Sequence, residues 1–152
     1  MSSKKPRLAK GIEPDPSKTP AVDPALKGNA WPHKPLWKVG RLDLDGKWSW
    51  RGIKADELEH VLERMRSFES MTWAEIERKS GKYGSQCHTM PSERICEEAR
   101  ARLTTLRLDE LPELYSMRCD QKGRLWGYRI GHVLHVLWWD PNHTVYPVEK
   151  SS

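Results

Sequence analysis

Between Lys54 and Phe68 the apolar residues Leu58, Val61, Leu62, Met65 and Phe68 recur every three or four positions, the period of a helix that buries one stripe. Asp56 and Glu57 fall in its first turn, where the helix dipole favours negative charge. Thr72-Trp-Ala-Glu75 then has the spacing of a capping box, with Met71 and Ile76 at the flanking apolar positions. A short second helix is expected to begin at Trp73 and stop by Gly81. Pro91 suits the first turn of a third helix, whose stripe is Ile95, Ala99, Leu103 and Leu106 and which ends before Pro112.

Outside these stretches the pattern shortens. Leu36–Leu44 and Lys47–Arg51 bracket Asp45-Gly46, the signature of a β-hairpin with a two-residue turn. Gly81–Met90 contains two glycines and no period, so it reads as a loop or a short irregular strand. Leu114–Asp120, Arg124–Ile130, Val133–Asp140 and Thr144–Val148 are strand-like runs separated by turn residues. The reversal at Gly131 can be centred on Ile130-Gly131 or on Gly131-His132. Either register puts Arg124, Trp126 and Tyr128 on one face with Val133, His135, Leu137 and Trp139. The other face carries Leu125, Gly127, Arg129, Leu134, Val136 and Trp138. The expected class is α+β: an N-terminal β-hairpin, two to three helices, then a C-terminal antiparallel β-meander with its helices on one face.

Domain organisation follows from where apolar residues are scarce. Residues 1–30 hold five prolines among lysine, serine and aspartate, too little apolar surface to offset chain entropy, and are expected to form a disordered basic arm. Order is expected from Trp31, giving a single domain over 31–150. The chain has 152 residues and a formal charge of +5, of which the arm supplies +3 (six cations against three carboxylates), so the folded part is only mildly basic. A polyanion partner would therefore be recognised by local patterning. Cys87, Cys96 and Cys119 are odd in number and lack CxxC spacing, which excludes a disulfide framework or zinc ribbon and fits a reducing, cytoplasmic setting. No apolar run has the roughly 18 residues a membrane span needs, and no signal-peptide pattern opens the chain. No membrane partner is expected.

The mixed face of the C-terminal hairpin carries the candidate chemistry. His135 and His143 are candidates for proton transfer, because imidazole titrates near neutral pH. Arg118, Arg124 and Arg129 are candidates for phosphate contact, the guanidinium fork matching that geometry. Tyr128 joins His135, His143, Arg124 and Arg129 in the expected catalytic group. Arg118, Lys122 and Arg124, with the rings of Trp126 and Trp139 as stacking platforms, form the expected nucleic-acid contact set. Aromatic cross-strand pairs stabilise any sheet, so the rings also have a purely structural reading. Arg129 falls on the aliphatic face and could act only at the end of its strand. His132, His135, Asp140 and His143 are metal-ligand types, but a spacing of three on a strand sends side chains to opposite faces, so no metal is expected. Cys87-His88 lacks an orienting third group. Nucleotide-binding and hydrolase loops are absent, and no cofactor is expected.

In Leu114-Tyr-Ser-Met-Arg118 and Tyr128-Arg-Ile-Gly-His-Val-Leu-His-Val136, followed to 140, the chain resembles the RelE/ParE superfamily of toxins from type II toxin-antitoxin systems. In architecture the resemblance spans roughly residues 36–148. Arg129 and Gly131 match the family's pattern, whereas Leu134-His135 stand where it has a Tyr-Arg pair, and the final strand ends at Thr144-Val-Tyr146 without the usual Arg and Tyr. The resemblance implies a bacterial, cytoplasmic endoribonuclease that cuts mRNA, in many members on the ribosome, by metal-independent acid–base catalysis and is neutralised by an antitoxin protein. The alternative is a non-catalytic nucleic-acid- or protein-binding adaptor of phage or plasmid type, so whether the chain is an enzyme stays open here.

Overall fold

A computed structural model describes residues 32–78 and 87–147. The expectations for residues 1–30, for Gly81 as a helix stop and for most of the 81–90 loop lie outside the described residues. The class is α+β. The elements are strand β1 (Leu36–Lys38), helix α1 (Ala55–Phe68), helix α2 (Trp73–Arg78), strand β2 (Cys87–Pro91), helix α3 (Glu97–Thr105), and strands β3 (Glu113–Arg118), β4 (Arg124–Ile130) and β5 (Val133–Asp140). They build one five-stranded sheet in the order β1-β5-β4-β3-β2.

The helices form where the local code is strongest. At the start of α1 the Glu57 carboxylate accepts the Lys54 N–H at 3.0 Å, satisfying a donor that has no partner within the helix. Thr72 and Glu75 make the expected reciprocal box: the Glu75 N–H donates to Thr72 Oγ1 at 3.1 Å and the Thr72 N–H to Glu75 Oε1 at 2.9 Å. Helix α3 begins at Glu97 and not at Pro91, which ends β2 and is followed by a 3-10 turn at Ser92–Arg94; Ile95 before the helix and Ala99 and Leu103 within it are buried.

Three strand expectations need correction. The N-terminal hairpin does not form. Gly46 does turn the chain, with φ +87°, but Lys47–Arg51 is not a strand, and Trp50–Gly52 is a single 3-10 turn. β1 instead lies parallel to β5, Leu36 opposite Val133 and Lys38 opposite His135, so the sheet is mixed. The stretch after β1 wraps the far end of β5: the Asp43 N–H donates to the Leu137 carbonyl at 2.9 Å and the Trp139 N–H to the Trp48 carbonyl at 3.1 Å. Residues 144–147 do not extend the meander, and Val148, the last residue of that expected strand, lies outside the described residues. The Thr144 and Val145 N–H groups point into the Asp140 carboxylate at 2.8 and 3.0 Å, leaving no ladder for a further strand. Cys87–Pro91, by contrast, is a strand at the sheet edge, paired antiparallel with β3.

The helices cover both faces of the sheet, not one. α1 and α2 place Val61, Phe68, Trp73 and Ile76 against Tyr115, Met117, Leu125, Leu134 and Val136. On the opposite face α3 places Ala99 and Leu103 in a cluster with Trp48, Leu114, Trp126, Tyr128 and Trp138. β4 and β5 carry large apolar side chains on both sides, and a sheet of that kind needs cover on both.

Of the two turns open at Gly131, the one centred on Gly131-His132 is formed, since Ile130 pairs with Val133 and Gly131 has φ +63°. Further along, the side-chain parity breaks. Trp126 pairs with Trp138 but Gly127 pairs with Val136, so Leu137 is an extra residue in β5, a β-bulge. Leu137 and Trp138 consequently enter the same core cluster, and Trp139 turns to the α1 face beside Leu125. Trp138 and Trp139 therefore exchange the faces that strict alternation assigns them. Gly127 is required at this point, because a Cβ there would run into the backbone carbonyl of His135.

Candidate functional site

The register of the sheet assembles a cationic corner on the α3 face, at the end away from the Gly131 turn. His88 lies opposite Ser116, and Ser116 opposite Trp126. In the next row Arg118 lies opposite Arg124, and Arg124 opposite Asp140. Since side chains two apart on a strand share a face, His88, Arg118 and Arg124 emerge together. The chain then turns back, and His143 sits at φ +58° with its N–H on the Asp140 carbonyl at 3.4 Å.

Asp140 fixes that turn. It is fully buried, and its carboxylate accepts the Trp126 indole N–H at 3.1 Å, the Thr144 N–H at 2.8 Å, the Thr144 hydroxyl at 3.2 Å and the Val145 N–H at 3.0 Å. Every one of these partners is a donor, matched to the acceptor oxygens of the carboxylate, and together they close the loop that presents His143.

The electrostatics of the corner are those of crowded cations. Burial lowers the His143 pKa, and Arg124, His88 and Arg118 lower it further against the pull of Asp140. His88 is lowered by burial and by Arg124, opposed by Glu77. Arg124, half-buried, is lowered by burial and by Arg118. Both imidazoles are thus neutral at pH 7, next to two guanidinium groups, and each group's charge opposes its neighbours'. An anion entering here would relieve that repulsion and raise both imidazole pKa values. Lys122 is exposed on the β3–β4 turn beside this corner, which Asp120 closes by accepting the Lys122 and Gly123 N–H groups.

The remaining expected site residues lie elsewhere. His135 and Tyr128 stack face to face, ring centres 4.7 Å apart and 3° from parallel, at the other end of the same sheet face. Burial, then Lys38 and Arg41, push His135 down to about 4, so it is neutral and a poor proton donor at pH 7. Arg129 sits on the α1 face over the rings of Trp73 and Tyr115, at 4.6 and 4.9 Å, and pairs with Glu77 at 3.1 Å; its charge is spent within the fold. Trp126 and Trp139 are 1% and 2% exposed and bond Asp140 and Glu57 through their indole nitrogens, so neither ring presents a face to a base.

Sequence reasoning missed the place of His88. It stands in the segment that showed no periodicity, and only the pairing of β2 with β3 brings it to Arg118 and Arg124. The nearest local signal was the alternation of Cys87 and Thr89 about it, which is too short to establish a strand. Among the described residues no three His, Cys, Asp or Glu side chains gather as a metal-holding group, and no helix is long and apolar enough to cross a membrane. Compared with protein-family models, curated proteins and solved structures, the chain has no match in any of the three.

Proposed function

We propose that this protein is a toxin-like endoribonuclease of RelE/ParE type that cleaves mRNA at the cationic corner. The observation that carries the reading is the gathering of two imidazoles, His88 and His143, with two guanidinium groups, Arg118 and Arg124. Cleavage of RNA without a metal needs a base for the 2′-hydroxyl, charge stabilisation on the phosphorane and an acid for the departing 5′-oxygen. One neutral imidazole takes the 2′-hydroxyl proton as that oxygen bonds to phosphorus. The other, protonated once the phosphate has offset the neighbouring guanidinium charges, gives its proton to the 5′-oxygen as the P–O bond breaks. The products are a 2′,3′-cyclic phosphate and a 5′-hydroxyl. The arginines bind the non-bridging oxygens. An antitoxin that neutralises such an enzyme would present carboxylates to this corner.

A second reading, a non-catalytic adaptor, draws on the exposed Leu36, Val39 and Leu44 around the edge strand β1. Incubation of the purified chain with mRNA, with and without ribosomes, separates the two. His88→Ala and His143→Ala should each slow cleavage by about 100-fold or more with the fold intact, the usual loss for a proton-transfer group. A substrate bearing 2′-deoxy at the cut position should be bound and left whole. If the wild-type chain neither binds nor cuts RNA in either setting, the endonuclease reading fails and the adaptor reading replaces it.

A further inference from the structure

We propose that Lys38, Arg41, His135 and the Tyr128 hydroxyl form a second site, separate from the cationic corner, that binds a phosphate-class oxyanion. The sheet register makes the row. Lys38 of β1 lies opposite His135 of β5, and His135 lies opposite Tyr128 of β4, so the three share the α3 face. The stacked rings of His135 and Tyr128 hold each other in place. Tyr128 is 2% exposed, yet its hydroxyl has no hydrogen-bond partner. A buried hydroxyl left unpaired is disfavoured, so it calls for a partner the chain itself does not supply.

The charges that bear on this row are cationic. The Lys38 ammonium and the Arg41 guanidinium both bear on His135, and Arg41 also bears on Tyr128. Arg41 reaches the Leu106 carbonyl only at 3.4 Å, beyond the usual hydrogen-bond length, so it can turn to a better acceptor at little cost. An ammonium, a guanidinium fork, a phenol and an imidazole N–H match an acceptor-only group with several oxygens. A phosphate meets that demand. The inference does not depend on the RNA-cleavage reading, and it gives His135 and Tyr128 a binding role instead of a catalytic one.

The test follows the six histidine imidazoles by NMR while inorganic phosphate is added at constant ionic strength, with chloride as the control. His135 should shift saturably, and its titration midpoint should rise from about 4 by one unit or more. Lys38→Ala and Arg41→Ala should each weaken binding about tenfold, and Tyr128→Phe, which keeps the stacked ring, should weaken it several-fold. A 5′-phosphorylated trinucleotide compared with its 5′-hydroxyl form tells a terminal phosphate from a backbone one as the natural source. His88 and His143 report the cationic corner in the same spectra, so either site can fail without the other. No movement of His135 up to about 10 mM phosphate, a binding free energy weaker than about 3 kcal/mol, overturns the proposal. So does a shift that survives unchanged in Lys38→Ala and Arg41→Ala.

Discussion

Asp43 and Arg102 meet as a two-pronged ion pair, with Nε 2.8 Å from one carboxylate oxygen and a terminal nitrogen 2.7 Å from the other. The same carboxylate accepts the Trp138 indole N–H at 2.9 Å and the Asp45 N–H at 3.1 Å. Burial alone would raise the Asp43 pKa, but the Arg102 bonds, the Asp45 N–H and the Trp138 indole outweigh it and hold it below 3.8. One buried carboxylate thereby joins the wrap that follows β1, helix α3 and the bulged end of β5.

Removing the guanidinium should be costly. Arg102→Met is expected to destabilise the fold by on the order of 3 kcal/mol at pH 7, because it strands a buried charge. The carboxyl is held low in the wild type, so its contribution is complete above 3.8 and fades as pH falls through the lower folded value. In the variant burial wins and the folded pKa rises. The gap between wild type and variant, read by urea unfolding across pH, should therefore be widest near neutrality and narrow in acid.

Much of this fold is legible locally, and what is not depends on distant partners. The Thr72 and Glu75 box is local and forms; of the α1 stripe Val61, Met65 and Phe68 pack against the sheet, whereas Leu58 and Leu62 stay exposed. The Asp45-Gly46 turn also forms, but the hairpin expected around it does not, because Asp43 is claimed by Arg102 and Trp48 by the α3-side core. Strict alternation holds through Leu137 and fails at Trp138, after a bulge that depends on Gly127 in the opposite strand. At the site, Arg118, Arg124 and His143 were recognisable by residue type. Their common neighbour His88 needed the β2–β3 pairing, and the burial of Trp126 and Trp139 needed both layers of helices.

Gly127→Ala tests the bulge. The added Cβ meets backbone at His135, which cannot swing aside as a flexible side chain would. A loss of about 1 to 3 kcal/mol is expected, the usual cost of overpacking. Thermal unfolding measures it, and His135 and Tyr128 imidazole and ring signals should shift with it, since the strained carbonyl belongs to the same strand pair.

His135 should leave a signature in the pH dependence of stability. Its folded pKa, about 4, lies below the ordinary 6.5, so the unfolded chain binds the proton more readily. Stability should fall as pH drops from about 6.5 towards 4 and this group's effect should level off below that. His135→Gln, which cannot take up the proton, should flatten the slope in that window, as judged from urea midpoints at matched ionic strength.

Trp126 and Arg124 are neighbours but one on β4, and they should separate stability from binding. The Trp126 ring is packed in the core with Trp48, Leu114 and Trp138 in the same cluster, and its N–H is bonded to Asp140. Trp126→Ala should therefore cost about 3 to 5 kcal/mol of stability. Any RNA affinity left in the folded fraction should keep its dependence on salt, because no phosphate contact has gone. Arg124 is half-buried, with one hydrogen bond to the Gly123 carbonyl at 3.3 Å, and its neighbours include Arg118, whose charge opposes its own. Arg124→Ala should leave unfolding nearly unchanged but reduce the slope of log affinity against log salt by about 0.7, the value for one phosphate of a single strand. Urea unfolding paired with gel shifts at several salt concentrations reads both quantities. An Arg124→Ala variant whose salt slope equals that of the wild type would remove this arginine from the phosphate contacts.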